Sequence, residues 1–501
     1  MSRSMDALPG WILSIFILLA AYPWSAWLVQ RTHKAPDFWL PLAVSLALGT
    51  GVLSLLMFWQ MLLGFRLDLW SATLPYLALM LPGWWLWWRD GTKLPPLSLP
   101  HSWAERVALA LLLLIGAGVL FNSVYWPFSR EDSIGIYARF GAFMYDNRAL
   151  AALPGELTIH EAYPILVPLT YSYAYLASGW PNEFLARLFP GLLSLGCLAA
   201  VFTFGKVLHS AAAGWIGALL LAITPAFTSW ASSGYVDLPM AFFYTLAAIF
   251  CWQLWRSGGS IHALLAGAMM GLAAWTKNAA LVGVGLMTLW LLWAMYRRRI
   301  GWQQVALALM MCAFIAATWY SRNLIEAGLI IPPTIWAEQA NPSLDTLLVL
   351  ITRPQTYTIS GPLIVASVVA ALAQLIRRRN APKLALLLWW TLPFYGVWWL
   401  FASYDPRFIL LFLPLLCVLA GVQLAKFWSA VPADWQRRLV MPLMVIATGL
   451  ALGAVWNSVE YKSEILRHPF MSADERRMTA IRERQPHLYE RWYGDSAANP
   501  P

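Results

Sequence analysis

The chain consists mostly of apolar runs of roughly 20 residues, separated by short polar or basic segments. A helix of that length crosses the hydrocarbon core of a bilayer, and continuous runs favour helices over the alternating strands of a barrel. We therefore expect an all-α, multi-pass membrane protein of about 14 transmembrane helices. The predicted helices lie near residues 10–29, 37–58, 72–89, 104–121, 184–205, 211–228, 235–255, 261–275, 279–296, 302–320, 361–376, 384–401, 407–426 and 438–457.

Residues 163–180 form a further apolar segment, which we interpret as a re-entrant or interfacial helix that does not cross the membrane. Pro168 lies within this segment, and its tyrosines suit the headgroup region of a bilayer. If the segment did cross, every later loop would change sides. The segment belongs to a long loop, residues 122–183, in which we expect interfacial helices.

The composition supports a membrane protein and argues against several other classes. Hydrophobic residues make up 60% of the chain and charged residues 12%, with a mean hydropathy of +0.60, whereas a soluble domain carries about 25% charged residues. The net charge of +10 is typical of basic loops facing anionic lipid, and no nucleic-acid motif is present. The four cysteines fall in predicted spans, which favours buried thiols, and the seven histidines lack metal-ligand spacing.

Lysine and arginine residues indicate which loops face the cytoplasm. One set of alternate loops holds 17 of the 34 basic residues, including the runs Arg297–Arg299 and Arg377–Arg379. Basic loops prefer the cytoplasmic side of a membrane. Both termini and the 122–183 loop are then expected outside, in a bacterial plasma membrane on the periplasmic face.

Two adjacent carboxylates, Glu131 and Asp132, follow an apolar run at the start of the long outer loop. Acidic residues near hydrocarbon are costly, so a pair at this position is a candidate functional site. The face formed by Ile134, Tyr137, Phe140 and Met144, with Arg139 and Asp146 off it, predicts an amphipathic helix lying flat on the outer leaflet. The alternative is that the carboxylates merely cap this helix.

Several other charged and polar residues are expected at the same outer face. Asp237 lies one turn into a span, where it could also be a helix cap, and Lys277 lies in a turn between two short helices, where it could also snorkel. Each basic residue alone is more often part of a salt bridge or a snorkelling side chain. Together, cations suit a bound phosphate and carboxylates suit a general base. The full candidate set is Glu131, Asp132, His160, Asp237, Lys277, Arg322, Asn323, Tyr404 and Arg407.

The order of these motifs resembles that of the GT-C fold, the integral membrane glycosyltransferases that use a lipid-phosphate sugar. The group includes protein O-mannosyltransferases and lipid A aminoarabinose transferases. The resemblance runs from about residue 104 to residue 420 and includes the acidic pair, Pro164, the EFLARLFPGLLSL run, the YVDLPMAFFYTLA run, Lys277, the segment from Trp319 to Asn323, and Arg407 with Pro414. The chain departs from the family pattern in its Glu-Asp order after Arg130 and in having His160-Glu161 where aminoarabinose enzymes carry Lys-Pro-Pro.

The resemblance implies a domain layout and a reaction. Extra transmembrane helices would occupy residues 1–103, the catalytic transmembrane domain residues 104–457, and a short charged outer tail residues 458–501. A polyprenyl-phosphate sugar would be the donor and a glycolipid, polysaccharide or protein hydroxyl the acceptor, with inversion at the sugar. No nucleotide cofactor is needed, and the carboxylates leave room for a divalent metal.

Roles for the residues follow from the same resemblance. Asp132 or Glu131 would be the base. Lys277, Arg322 and Arg407 would hold the phosphate, and Asp237 and His160 would orient the acceptor or the acidic pair. Two alternatives remain at this point: a transporter or flippase of an anionic lipid, and an O-antigen ligase or polymerase.

Overall fold

The computed structural model describes residues 8–32, 37–97, 100, 102–150, 161–331, 338–377 and 381–484. These residues fold into helices, and no strand occurs among them. The first half comprises α1 (Leu8–Ala20), α2 (Tyr22–Thr32), α3 (Trp39–Leu62), α4 (Leu69–Arg89), α5 (Trp103–Tyr125), a π-helical turn (Ser133–Ala138), α6 (Arg139–Asn147), α7 (Leu166–Ser178), α8 (Glu183–Leu208), α9 (Ala211–Ala222), α10 (Pro225–Trp230) and α11 (Asp237–Ser257). The second half comprises α12 (Ser260–Thr276), α13 (Ala280–Tyr296), α14 (Trp302–Ala327), α15 (Leu344–Leu347), α16 (Val349–Thr352), α17 (Pro354–Tyr357), α18 (Ser360–Ile376), α19 (Ala381–Phe401), a 3-10 turn (Pro406–Leu411), α20 (Leu413–Ala430), α21 (Ala433–Ser458), α22 (Lys462–Arg467) and α23 (Ala473–Arg484).

Each apolar run predicted as a span coincides with a helix or a pair of helices. Within the described part of the chain, nine helical segments are long and apolar enough to cross a membrane. Four shorter apolar helices, α9, α12, α13 and α18, accompany them. The all-α, multi-pass class is therefore confirmed, while a total of fourteen crossings stays a prediction.

Contacts between residues at the helix ends show which ends lie on the same side of the helix bundle. Arg31 in the last turn of α2 pairs with Asp90 at 2.9 Å, and Lys206 in the last turn of α8 pairs with Asp37 at 2.8 Å. The N–H of Phe38 donates to the carbonyl of Pro96 at 3.2 Å, so both pairs lie at one end of the bundle. They belong to, or border, the loops that the positive-inside rule assigns to the cytoplasm. At the other end, the backbone N–H of Leu67 donates to the carbonyl of Arg148 at 3.0 Å. The alternation of sides agrees with the pattern predicted from the basic loops.

The apolar segment within residues 163–180 forms α7, which has only 13 residues. At 1.5 Å per residue it is about 20 Å long, too short for a span of about 30 Å. The chain before and after it lies on one side, because the N–H of Phe128 donates to Oε2 of Glu183 at 3.2 Å. This agrees with a re-entrant helix. The expectation of a tyrosine face toward lipid headgroups is wrong, since Tyr171, Tyr173 and Tyr175 are at most 1% exposed.

Small residues allow α12 and α14 to pack closely, and this fixes the turn that follows α12. A Cβ at Gly267 would overlap the carbonyl oxygen of Ala308, and one at Gly271 would lie 2.9 Å from that of Cys312. Glycines four apart share one helix face. The face they form brings the α12 backbone against α14 and so positions Lys277, which ends α12.

Several helix boundaries differ from those expected from the sequence. α14 continues to Ala327, so Arg322 lies within the helix and not at the end of a span. Arg407 lies in a 3-10 turn ahead of α20, and Pro414 is at the start of α20, where its missing N–H costs no hydrogen bond. The predicted amphipathic helix is present, with Tyr137 and Met144 buried and Arg139 exposed, but it begins with a π-helical turn.

The two ends of the bundle can be distinguished by labelling single cysteines. Ser463 in the tail and Ser260 at the start of α12 are both exposed, and the four native cysteines are buried. In right-side-out membrane vesicles we expect a membrane-impermeant maleimide to label Ser463→Cys and not Ser260→Cys. Inverted vesicles should give the opposite result. Labelling of Ser260→Cys from outside would show that the orientation is reversed.

Candidate active site

The acidic turn after α5 is shaped by its own backbone and by Tyr235. The hydroxyl of Ser133 donates to the carbonyl of Arg130 at 2.6 Å, and the N–H of Asp132 donates to the Tyr235 hydroxyl at 3.2 Å. Asp132 makes no capping hydrogen bond, so capping does not account for it. Its side chain is 36% exposed, and Glu131 beside it is also exposed. Asp132 therefore has both solvent access and a fixed backbone.

Asp237 occupies the first position of α11, and a sharp turn precedes it. Gly234 adopts a φ of +78°, which favours glycine, and a Cβ there would lie 2.5 Å from the ring of Phe128. The Asp237 side chain is 1% exposed, and its Oδ1 accepts a hydrogen bond from Nζ of Lys277 at 2.5 Å. Asp237 is therefore a buried ion-pair partner, not a helix cap and not one turn into the span.

Arg407 connects three carboxylates. Its guanidinium lies 3.2 Å from Asp132, 3.2 Å from Asp405 and 4.0 Å from Asp237. Burial disfavours the charge, but the carboxylates, Asp237 first and Asp405 next, hold the pKa of Arg407 above its ordinary value. The guanidinium also lies over the ring of Tyr235 at 4.7 Å. Arg407 therefore stays charged in the middle of the cluster.

Lys277 lies on the buried side of the same cluster. Its side chain is 7% exposed, and Nζ lies 4.3 Å from the ring centroid of Phe408. The turn between α12 and α13 that was predicted to hold it is present. The lysine points at Asp237 instead of snorkelling to solvent, so it supplies a fixed positive charge inside the protein.

Tyrosines surround the carboxylates. Tyr137 contacts Tyr163 and Tyr235, with ring centroids 6.0 Å and 5.9 Å apart. Burial, with a contribution from Asp132, raises the pKa of Tyr235 to about 12. The Tyr235 hydroxyl is therefore protonated at neutral pH and able to donate to an oxygen of a bound molecule.

The remaining predicted residues are less central. Arg322 pairs with Glu326 on its own helix at 3.1 Å. Asn323 is fully buried, and its Oδ1 has no hydrogen-bond partner among the described residues. Tyr404 packs edge-on to Phe408 with ring centroids 5.8 Å apart. His160 lies outside the described residues.

Sequence reasoning did not single out Asp405 or Tyr235 as members of the site. Both adjoin motifs that it did use: Asp405 comes two residues before Arg407, and Tyr235 two residues before Asp237. Their closeness along the chain to Arg407 and Asp237 was the signal in the sequence that could have identified them. Glu460 in the C-terminal tail gave no such signal, because a charged residue in a polar tail is expected to be solvated.

The three carboxylates surround a guanidinium. Among the residues that the structure describes, no group of three or more His, Cys, Asp or Glu side chains could hold a metal ion. Arg407 and Lys277 supply the positive charge among the described residues of the cluster.

Comparison with known proteins gives one family match and several structural matches. The family model described as dolichyl-phosphate-mannose-protein mannosyltransferase matches residues 163–321, which include Asp237 and Lys277 but neither Asp132 nor Arg407. No curated protein sequence matches the chain.

Among solved structures, ArnT from Cupriavidus metallidurans in the apo state matches with a TM-score of 0.52 and 20% identity, over 74% of this chain and 68% of that chain. ArnT bound to undecaprenyl phosphate gives a TM-score of 0.51 and 19% identity over the same shares. The Archaeoglobus fulgidus oligosaccharyltransferase complex with Zn and sulfate gives 0.50 and 13% identity, over 77% of this chain and 56% of that chain.

These matches confirm the fold expected from the resemblance. The chain has the GT-C architecture, with an all-helical membrane domain and short helices in its first long loop. At 20% identity or below, the structural likeness concerns the fold and not the individual site residues.

The buried pair of Lys277 and Asp237 should be coupled energetically. Lys277→Met leaves a buried carboxylate without its closest partner, which should destabilise the protein by about 3–5 kcal/mol. Asp237→Asn should likewise leave Lys277 unpaired. The double variant removes both charges, so we expect it to melt at a higher temperature in detergent than either single variant. Additive losses in the double variant would show that the two charges do not depend on each other.

Proposed function

We propose that this protein transfers a sugar from a polyprenyl-phosphate donor to a hydroxyl acceptor, with inversion, at the outer face of the membrane. The observation that carries the proposal is a partly exposed carboxylate, Asp132, in contact with Arg407, which also faces the buried pair of Asp237 and Lys277, in a GT-C fold. A base and a phosphate-binding pair are the two things that direct displacement of a lipid phosphate requires.

Asp132 is the proposed base. Its carboxylate is the most exposed of the three around Arg407, so an acceptor hydroxyl can reach it. As the acceptor oxygen attacks the anomeric carbon, its proton passes to Asp132 and a new C–O bond forms. The bond between the anomeric carbon and the phosphate oxygen breaks, and its electron pair leaves with the lipid phosphate. One displacement inverts the sugar.

Arg407 and Lys277 are the proposed phosphate-binding pair. Arg407 presents several N–H donors, one of which donates to the Asp132 carboxylate at 3.2 Å. A donor phosphate competes with Asp132 for this guanidinium, and its arrival frees the carboxylate to act as a base. Lys277, held by Asp237, adds a fixed charge near the leaving oxygen, where negative charge increases in the transition state.

The comparisons support the class of donor. The matching family is described by a dolichyl-phosphate-mannose donor, and one matching ArnT structure contains undecaprenyl phosphate. Both lipids are polyprenyl phosphates, so we propose the same class here. Glycolipid, polysaccharide and protein hydroxyls are all acceptors that this chemistry allows.

The proposed site lies at the end of the bundle away from the basic loops. Since those loops are predicted to be cytoplasmic, the site faces outward, which for a bacterial plasma membrane is the periplasm. A lipid-linked donor suits this location because the phosphate leaving group needs no nucleotide on that side.

The proposal is tested by incubating purified protein with a panel of radiolabelled polyprenyl-phosphate sugars and candidate acceptors, with and without chelator. We expect transfer from at least one donor, with release of free polyprenyl phosphate in equal amount. Binding of these lipids without any turnover or hydrolysis, combined with their movement between leaflets of proteoliposomes, would support a flippase and overturn the proposal.

Replacing the proposed base should abolish transfer while leaving the fold intact. We expect Asp132→Asn to lower the transfer rate by at least about 100-fold, which is the usual contribution of a general base. Glu131→Gln is the matched control, because Glu131 is the adjacent and more exposed acid. Its rate should stay close to that of the unaltered protein. Full activity of Asp132→Asn would remove this assignment, and loss of activity in Glu131→Gln alone would transfer it to Glu131.

A further inference from the structure

A second buried ion cluster lies beside the acidic turn, and an acid from the C-terminal tail, Glu460, contacts two of its arginines. Glu460 follows α21 by two residues, and its side chain is 9% exposed. Its carboxylate lies 3.3 Å from Nε of Arg130 and 3.2 Å from Nη2 of Arg187. Asn122 donates to the same carboxylate at 3.4 Å and accepts from the Glu460 N–H at 2.8 Å. Glu460 thus joins the tail to α5, to α8 and to the long loop.

Arg187 uses this cluster to hold the chain that leads into the acidic turn. The side chain is fully buried on α8. It donates to the carbonyl of Trp126 at 2.7 Å, and also to the carbonyls of Pro127 and Ser232. A buried guanidinium requires a counter-charge. Glu460 supplies the ion pair in direct contact with Arg187, so the anchoring of residues 126 and 127 depends on a residue of the tail.

Arg130 extends the same support to the turn itself, two residues before Asp132. Its Nη2 donates to the carbonyl of Ser229 at 2.9 Å, and its guanidinium lies 4.0 Å from the ring centroid of Trp230. The guanidinium of Arg407 lies 5.0 Å from the same ring. Trp230 therefore packs against an arginine from each of the two ion clusters.

The tail adopts an unfavourable backbone conformation next to Glu460. Tyr461, next to Glu460, has a φ of +46°, a left-handed conformation that is rare for an aromatic residue. Its ring packs against Trp126 at a centroid distance of 4.7 Å. Strain of this kind persists where surrounding contacts over-determine the conformation. The negative charge is kept as well, because Arg187 and then Arg130 hold the pKa of Glu460 below its ordinary value against the effect of burial.

We propose that Glu460 is a positioning residue for the base: it fixes the segment from Trp126 to Asp132 through Arg187 and Arg130, so the C-terminal tail forms part of the active-site framework. This inference rests on the proposed function. The tail then sets the position of Asp132 without contacting the substrate itself.

The test compares Glu460→Gln with a matched control in the same tail, Glu464→Gln. Glu464 is 14% exposed and pairs with Arg467 and Arg482, within the tail itself. We expect Glu460→Gln to lower the single-turnover transfer rate about ten- to a hundred-fold, since small misplacements of a catalytic group have effects of this size. Undecaprenyl phosphate affinity should change little, because Lys277 keeps Asp237 and Arg407 keeps Asp237 and Asp405, none of which belongs to the segment that Glu460 holds. Glu464→Gln should change neither quantity.

Hydrogen–deuterium exchange supplies a readout that needs no substrate. In Glu460→Gln we expect faster exchange in peptides covering residues 126–138 and unchanged exchange in α11 to α13. Glu460→Asp, which keeps the charge but is one methylene shorter, should give intermediate exchange and rate, and it also serves if the amide variant fails to fold.

The outcomes separate this inference from the proposed function. Unchanged exchange at residues 126–138 in Glu460→Gln, or equal effects of Glu460→Gln and Glu464→Gln, would overturn the positioning role. Faster exchange throughout the bundle would also overturn it, because Glu460 would then only stabilise the fold. If the unaltered protein transfers no sugar from any donor while the local exchange effect is present, the proposed function fails and the mechanical coupling stands.

Discussion

The need to neutralise charge inside an apolar bundle determines the arrangement of this site. Asp237 is 1% exposed, and an isolated carboxylate at that depth would be very unfavourable. Lys277 and Arg407 are its counter-charges, and each comes from a different part of the chain. Because Arg407 also binds Asp132 and Asp405, the requirement imposed by one buried acid gathers four segments at one point. The packing of the helices brings these segments to the same end of the bundle, and the ion pairs fix the distances between their charged side chains.

Hydrophobicity and basic loops were sufficient to predict the helices and their alternation, because both depend on local composition. The apolar runs coincide with helices, and α7 does not cross, as the sides of the basic loops that follow it required. The turn that holds Lys277 was predictable for the same reason: a lysine within about 35 apolar residues is cheaper between two helices than within one. The end of α14 was not predictable in this way, because the helix continues to Ala327, beyond the apolar run.

The pairing of side chains could not be predicted from one sequence, because it depends on which helix ends meet in space. Glu460 is an example: nothing in the tail distinguishes it from Glu464, yet one is buried against two arginines and the other pairs within the tail. Arg322 is the opposite case, a plausible phosphate ligand by position that pairs with Glu326 on its own helix. Asp132, Asp237, Lys277 and Arg407 were expected to lie together and do so, but the pairs they form could not be predicted from the sequence.

The charges of the cluster fit the direction of the proposed reaction. Asp132, Asp237 and Asp405 face Arg407 and Lys277, so these five side chains carry one more negative than positive charge. A phosphodiester donor has a single charge, and the departing phosphate monoester approaches about −2 at neutral pH. If Asp132 takes the acceptor proton in the same step, the carboxylate loses the charge that the phosphate gains. The total charge near Arg407 then stays constant through the displacement. Asp237 cannot play this part, because it is buried and its loss of charge would leave Lys277 unpaired.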